Sequence, residues 1–509
     1  MRKIAVTKVG LVDCFTDSIC FEALFGCIKL FSLPFRVRIM SSYSSSDSQS
    51  AQVSDPNFPD KLVGYEWYRS IGSPKYVVAP MVDASELAYR MLTRRYGATL
   101  VYTQMFNATM FADDKVYRKV NWETCPQDRP LIVQFAGHDP DKLLRSAKFV
   151  EDHCDAVDIN LGCPQGIAKK GRYGAFLMEE LDLLATIVST LAKNLKVPVT
   201  CKTRIFKNED GSGDFERSIR LCETLVNAGA SLITIHGRTR EEKGQHVKHA
   251  DWDMIRRIKD HFRGRVPVVA NGGIGTMDDV NECLRITGVD GVMSSEGILE
   301  NPSIFSRNLR YIDAPDVHGA PQQQQMTADG LLPYSAMPAG KVPVRYVTQL
   351  DLTDEYLELC KVYPPFHFRT MRSHLQKFLH RYLQNHTDMR DLLTESYGVD
   401  EFQVVVARIR EVLVQRGETA ITAITDADAD AEDVGANESS DMLVNAKLDE
   451  GYADTTWYLR HRNHNNANAF SGRNGSAAEV KSNHFANFNI LETEDPEDGD
   501  YNVFSIFDQ

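Results

Sequence analysis

The residues best equipped for chemistry are a cysteine and a set of polar groups that stand just beyond short apolar runs. In Asp158-Ile159-Asn160-Leu161-Gly162-Cys163-Pro164, an apolar run over 156–161 breaks sharply at Gly162 and Pro164. The break leaves Asn160 and Cys163 at a strand's C-terminal end, where α/β folds keep their reacting groups. A thiol at a strand end is a candidate for an active site. The next stretch, 165–176, holds Gly166, Gly171 and Gly174 with Lys169, Lys170 and Arg172, and reads as a mobile basic loop. A buried structural cysteine is the competing reading. The rest of the chain weighs against it.

Eight apolar runs rich in Val, Ile and Leu follow one another at 76–81, 100–103, 131–135, 156–161, 197–203, 232–236, 266–270 and 291–294. They have the composition of strands buried on both faces. Helical patterns lie between most of them, at 139–152, 181–195, 215–228, 252–262 and 277–287. Eight strands in this length predict a (β/α)8 barrel of the TIM type, with a doubly wound open sheet as the alternative. Each run ends on polar or Gly-rich residues: Pro80-Met81-Val82-Asp83, Gln134, Lys202 and Arg204, His236-Gly237-Arg238, Asn271-Gly272-Gly273 and Ser295-Glu296-Gly297. A barrel gathers these at one mouth. Glycines after the seventh run and a short helix after the eighth can hold an anion on backbone N–H groups. Neither a Walker A motif nor Gly-x-Gly-x-x-Gly is present, so a mononucleotide phosphate such as that of FMN fits better than a dinucleotide fold.

The chain has 509 residues and a net charge of −13. Acidic residues outnumber basic ones by about 19 to 5 from Glu418 onward, so the acidity belongs to the tail and the remainder is close to neutral. Ten cysteines without a C-x-x-C pair support neither a disulfide framework nor a zinc site, and no metal is expected. Residues 1–60 read as a disordered or dispensable extension, with Met40 a second start. The apolar stretch at 9–35 carries Asp13, Asp17, Glu22 and Lys29, so it is neither a membrane span nor a transit peptide. The barrel is expected over 61–313, a Pro/Gly/Gln-rich linker over 314–344, a smaller all-helical domain over 345–416 and a disordered acidic tail over 417–509. Helical patterns in that domain fall at 354–361, 366–383, 389–397 and 401–415. In the second, Phe368, Met371, Leu375, Phe378 and Tyr382 form a core stripe, while His367, His374, Lys377 and Arg381 line another face. With Arg369 and Arg372 this is either a solvated face or a surface for an RNA backbone.

Taken together, Val78-Ala79-Pro80-Met81-Val82-Asp83-Ala84-Ser85-Glu86-Leu87, Asn160-Leu161-Gly162-Cys163-Pro164, Cys201-Lys202-Thr203-Arg204, Ile235-His236-Gly237-Arg238-Thr239, Asn271-Gly272-Gly273-Ile274 and Met293-Ser294-Ser295-Glu296-Gly297 resemble the tRNA-dihydrouridine synthases. Their wording, with Tyr173-Gly174-Ala175-Phe176-Leu177, is most similar to the eukaryotic branch acting on D-loop positions 16 and 17. The resemblance covers roughly 61–310, and 345–416 is similar to that family's RNA-binding helical domain. It implies FMN on Pro80, Met81, Val82, Gln134, Lys202, His236, Asn271, Gly272, Gly273, Ser295 and Glu296, the last two through backbone N–H because a carboxylate cannot grip phosphate. It makes Cys163 the catalytic acid for reduction of a uridine 5,6 double bond. Asn160 would hold the uracil edge, and Lys169, Arg369, Arg372, Lys377 and Arg381 would meet tRNA. NADPH or NADH would act as a transient reductant. A monomer in the cytoplasm is expected, with a nuclear pool left open. The rival readings are an FMN barrel acting on a small molecule, of the dihydroorotate dehydrogenase type, and a tRNA-binding protein without catalysis.

Overall fold

The computed structural model describes residues 61–243, 247–306, 311–313, 341–343, 347–418 and 420–421. The expectations for 1–60, for 314–340 and for the tail beyond 421 lie outside these residues. Eight strands form one closed parallel barrel: β1 (Tyr76–Val78), β2 (Leu100–Tyr102), β3 (Leu131–Ala136), β4 (Ala156–Leu161), β5 (Val199–Arg204), β6 (Ala230–His236), β7 (Val268–Asn271) and β8 (Gly291–Ser294). Neighbours pair in sequence order except that β1 pairs with β8, and β2 with β3 completes the ring. The expected (β/α)8 architecture is therefore present, and the open sheet is not.

Helix α1 (Gly64–Ser70) precedes the barrel, and α2 (Leu87–Arg95), α3 (Pro140–Lys148), α4 (Leu181–Asn194), α5 (Phe215–Asn227), α6 (Trp252–His261), α7 (Met277–Thr287) and α8 (Glu296–Glu300) follow strands. Local signals set several ends. Asp139 caps α3 with Pro140 in the first turn, and Thr276 and Asp279 form a reciprocal capping box on α7, which stops at left-handed Gly288. The barrel's floor is apolar, built from Val77, Leu100, Ile132, Ala156, Leu232, Val269 and Met293, with Trp67 and Tyr68 of α1 packed into the same cluster. Above it the inward positions turn polar. Register places Gln134 beside Asp158, Asn160 beside Lys202, and Arg204, His236 and Asn271 in one row.

Five helices follow: α9 (Gln349–Val362), α10 (Phe368–Phe378), α11 (His380–Asn385), α12 (Thr387–Glu395) and α13 (Val399–Arg416). The pattern at 366–383, expected as one helix, is two, interrupted at Leu379. These helices share one hydrophobic core with the barrel, in which Tyr89, Leu92 and Tyr96 of the α2 side join Leu350, Tyr356 and Phe378. Hydrogen bonds cross the same boundary, from Tyr96 Oη to Glu355 at 2.9 Å and from Tyr356 Oη to Glu86 at 2.7 Å.

Candidate active site at the barrel mouth

Cys163 sits on a turn that is held at every peptide. Asn160 Oδ1 accepts the N–H groups of Gly162 (3.1 Å) and Cys163 (2.9 Å). Arg204 Nε donates to Gly162 O (2.8 Å), Ala175 N to Cys163 O (3.0 Å), and Lys243 Nζ to Pro164 O (3.2 Å). The stretch expected as a mobile loop is instead folded against the thiol. It carries a short helix, Gly166–Lys170, with Ala168 and Tyr173 buried beside Cys163. A side chain at Gly174, whose φ is +66°, would stand 2.6 Å from Cys163 O, so only glycine lets the two loops meet this closely. Lys169 lies on that small helix.

Burial pushes the Cys163 thiol up from its ordinary value, against the opposing pull of a Gln165 N–H, Arg204, Lys202 and Lys243. The thiol therefore stays protonated at neutral pH. Burial and then Arg204 bring Lys202 down to about 8. Its side chain is 9% exposed, and its ammonium makes no hydrogen bond among the described residues. Burial, followed by Arg204, Lys202 and Arg238, keeps the His236 imidazole well below its ordinary value. The ring is thus neutral. Arg238 Nη1 lies 3.3 Å from His236 Nε2 and can only donate, so Nε2 accepts and the proton resides on Nδ1.

After β7, Gly272 has φ +100°, and a Cβ there would stand 2.8 Å from the His236 ring and 2.9 Å from Ala250. After β8, α8 begins at Glu296 with no side-chain cap hydrogen bond at its start. A Cβ at Gly297 would stand 2.7 Å from Ile274 O, so the loops following β7 and β8 touch there. Asn271 Nδ2 ties β7 to Met293 O at 3.0 Å. Pro80, Met81 and Val82 lead out of β1, and Val82 is 52% exposed. Gln134 is enclosed, its amide engaged by Asp158 on one side and Asn160 on the other.

The structure thus gathers Cys163, Asn160, Lys202, His236, Asn271, Gly272, Gly273, Ser295 and Glu296 on neighbouring strand ends and loops of one mouth. The cations of α10 and α11 do not form one open face. Arg369 is exposed and its charge acts on Asp83 in the loop after β1. Arg372 donates to Ser396 O at 2.6 Å and stacks over Phe368 and Tyr397. Lys377 folds back on Ser373, and Arg381 is half-buried. His374, expected on the polar face, is fully buried: Nε2 lies 3.0 Å from Glu86 and the ring stacks on Tyr89 at 4.3 Å. That face meets the barrel, and Glu86 supplies the partner that a buried imidazole needs.

Sequence reasoning left Asp158 and Arg204 without roles. Both lie two residues from an assigned site residue on the same strand, and period-2 alternation puts them on the same inward face. Among the described residues no group of three or more His, Cys, Asp or Glu could hold a metal ion, and no helix is long and apolar enough to cross a membrane.

A closed parallel barrel with a protonated thiol, a buried lysine and a neutral imidazole around an anion-ready rim is an α/β-barrel enzyme. The dihydrouridine synthase (Dus) family profile matches residues 77–330. The tRNA-dihydrouridine(16/17) synthase [NAD(P)(+)] of Saccharomyces cerevisiae is 51% identical over 249 residues, 48% of this chain and 57% of that one. The similarly named protein of Rattus norvegicus is 41% identical over 66% of this chain and 67% of its own length. That of Schizosaccharomyces pombe is 36% identical over 78% of this chain and 90% of its own. The chain belongs to the dihydrouridine synthase family.

Proposed function

We propose that this protein reduces the 5,6 double bond of uridine in the tRNA D-loop, at positions 16 and 17, with FMN as cofactor and NADPH or NADH as reductant. The names of the matched relatives supply the tRNA substrate, the positions and the NAD(P) dependence. The observation that carries the chemistry is Cys163, a half-buried thiol kept protonated on a turn braced by Asn160 and Arg204.

The mouth fits an anionic flavin mononucleotide. Lys202 offers a nearly buried cation with no hydrogen-bond partner, Gly272 brings the backbone of the loop after β7 against the His236 ring with no side chain between, and the first turn of α8 has no side-chain cap. Lys202, His236, Asn271, Gly272, Gly273, Ser295 and Glu296 would hold it, with Pro80, Met81 and Val82 at its edge and Gln134 behind Asn160. Reduced flavin, when bound, supplies a hydride. Cys163 holds the proton destined for C5 of the base on Sγ, and its raised pKa keeps that proton in place until carbon needs it. Lys202 steadies negative charge beside the thiol, and neutral His236 offers an N–H without adding to the positive charge of Lys202, Arg204 and Arg238. A D-loop uridine must turn out of the tRNA to reach the mouth. Lys169 and the exposed Arg369 stand where phosphates could be met.

Cys163→Ala tests the assignment. Flavin absorbance and its bleaching by NADPH should remain, while reoxidation by undermodified tRNA slows by about 10²-fold or more. Equal loss of both half-reactions would sink it. A colourless wild-type protein, or one reoxidised by free pyrimidine and not by tRNA, would remove the synthase reading.

A further inference from the structure

We propose that Asp158 is a positioning residue that sets the place of the Cys163 thiol through a relay of two oriented amides, an inference that rests on Cys163 being the proton donor. Asp158 lies inside the barrel with 0% exposure and no ion-pair partner within hydrogen-bond distance. An apolar side chain would continue the floor beneath it at lower cost, because burying a carboxylate is expensive.

Its geometry indicates what the carboxylate does there. Asp158 Oδ1 accepts the Thr200 hydroxyl at 2.6 Å and Oδ2 accepts Gln134 Nε2 at 2.9 Å. An ionised carboxylate can only accept, so Gln134 must turn its NH2 toward it and its Oε1 away. Oε1 then accepts Asn160 Nδ2 at 2.8 Å, which turns Asn160 Oδ1 toward the chain. That oxygen receives the Gly162 and Cys163 N–H groups. Reversing either amide would set donor against donor within an enclosed site. Asp158, which can only accept, fixes the relay at the barrel end, as the Gly162 and Cys163 N–H groups, which can only donate, fix it at the turn. Burial brings the Asp158 carboxyl up to about 6, so it is ionised at neutral pH. Lys202, one register step away, is the facing cation. Arg204 and Ala175 brace the same turn independently, so loss of the relay should unseat Cys163 without unfolding its loop.

The test needs neither flavin nor RNA. The full chain is treated with N-ethylmaleimide at neutral pH, and peptide mass spectrometry follows each cysteine. Buried Cys154, Cys222 and Cys283 serve as internal controls. Asp158→Leu should speed alkylation of Cys163 by about fivefold or more while the controls stay unreactive. Asp158→Asn can keep an oxygen toward Gln134 and should restore a rate within about twofold of wild type. A Cys163 rate at or below wild type in Asp158→Leu, or a rise shared by the buried cysteines, overturns the proposal. Should Asp158→Leu not fold, Gln134→Leu cuts the same link and is read the same way. A shifted alkylation rate in a protein that never reduces tRNA would leave the relay standing and remove the proposed function; active enzyme with an unshifted rate does the reverse.

Discussion

Two groups at the mouth, a thiol and an amine, are moved by burial in opposite directions, and both shifts suit one reaction. Burial penalises the charged form, so it raises Cys163 and lowers Lys202. Around neutral pH the site then holds a thiol with its proton and an ammonium with its charge. Lys202 loses that charge first. Its value of about 8 lies below the raised thiol, so kcat/KM for uridine reduction should fall as pH climbs through about 8. Lys202→Arg should carry less activity and no such limb, since a guanidinium stays charged throughout. A wild-type profile flat to about pH 9 would remove Lys202 from the charge-stabilising role. At this scale the sequence was informative about which residues matter: Cys163, Lys202 and His236 were legible as polar groups at the ends of apolar runs. What each does with its atoms was not. Asn160 spends its oxygen on the turn that carries Cys163, and Gln134 is enclosed, because Asp158 and Asn160 arrive from the adjacent strand. Register between strands decides that, and no local pattern encodes it.

At the scale of elements, the strands and helices of the barrel were legible because period and composition agree over each run. Strand ends differ by only a few residues from the apolar runs that predict them. Helix α10 shows where the pattern misleads. Its apolar stripe through Met371, Leu375 and Phe378 is buried as the period demands, yet His374 on the opposite pattern is buried as well. Polarity marks a side chain as exposed only until another element brings a partner. Here the partner is Glu86, the residue before α2, which also accepts Tyr356 Oη. Burial raises the Glu86 pKa, but His374, Tyr356 and a backbone N–H outweigh it and hold the carboxyl below its usual range. The contact ties α9 and α10 to the loop that carries Pro80, Met81 and Val82. His374→Ala removes the stacked ring and leaves Glu86 with one side-chain partner, and should cost about 3 kcal/mol. Because Glu86 is depressed, its share of the contact is present above its unfolded pKa and lost as pH falls through the lower folded value. Chemical denaturation of the variant at neutral pH reads the cost. A difference under about 1 kcal/mol would reduce the contact to an ordinary surface pair.

For the molecule as a whole, the shared core joins the helical segment to the barrel. Tyr89 and Tyr96 pack with Tyr356 and Phe378, and Arg95 and Tyr96 both reach Glu355. Arg369 is held close enough to Asp83 for its charge to act on that carboxyl. Residues 341–343 pair as an antiparallel strand with 311–313, so the length of chain between those two strands need not set the spacing of barrel and helices. A tethered module would behave differently, since its local concentration falls as its linker lengthens. Inserting ten Gly and Ser residues between Pro321 and Met326 adds only a few tenths of a kcal/mol of closure entropy. That should leave the midpoint of thermal unfolding within about 2 °C of wild type. Reduction of D-loop uridine should stay within about twofold. His374→Ala, which leaves the linker alone and loosens the packed boundary, should depress both. If lengthening the linker cut activity tenfold while His374→Ala did not, the helices would be a tethered arm, and the mouth would meet its RNA by reach instead of by fixed geometry.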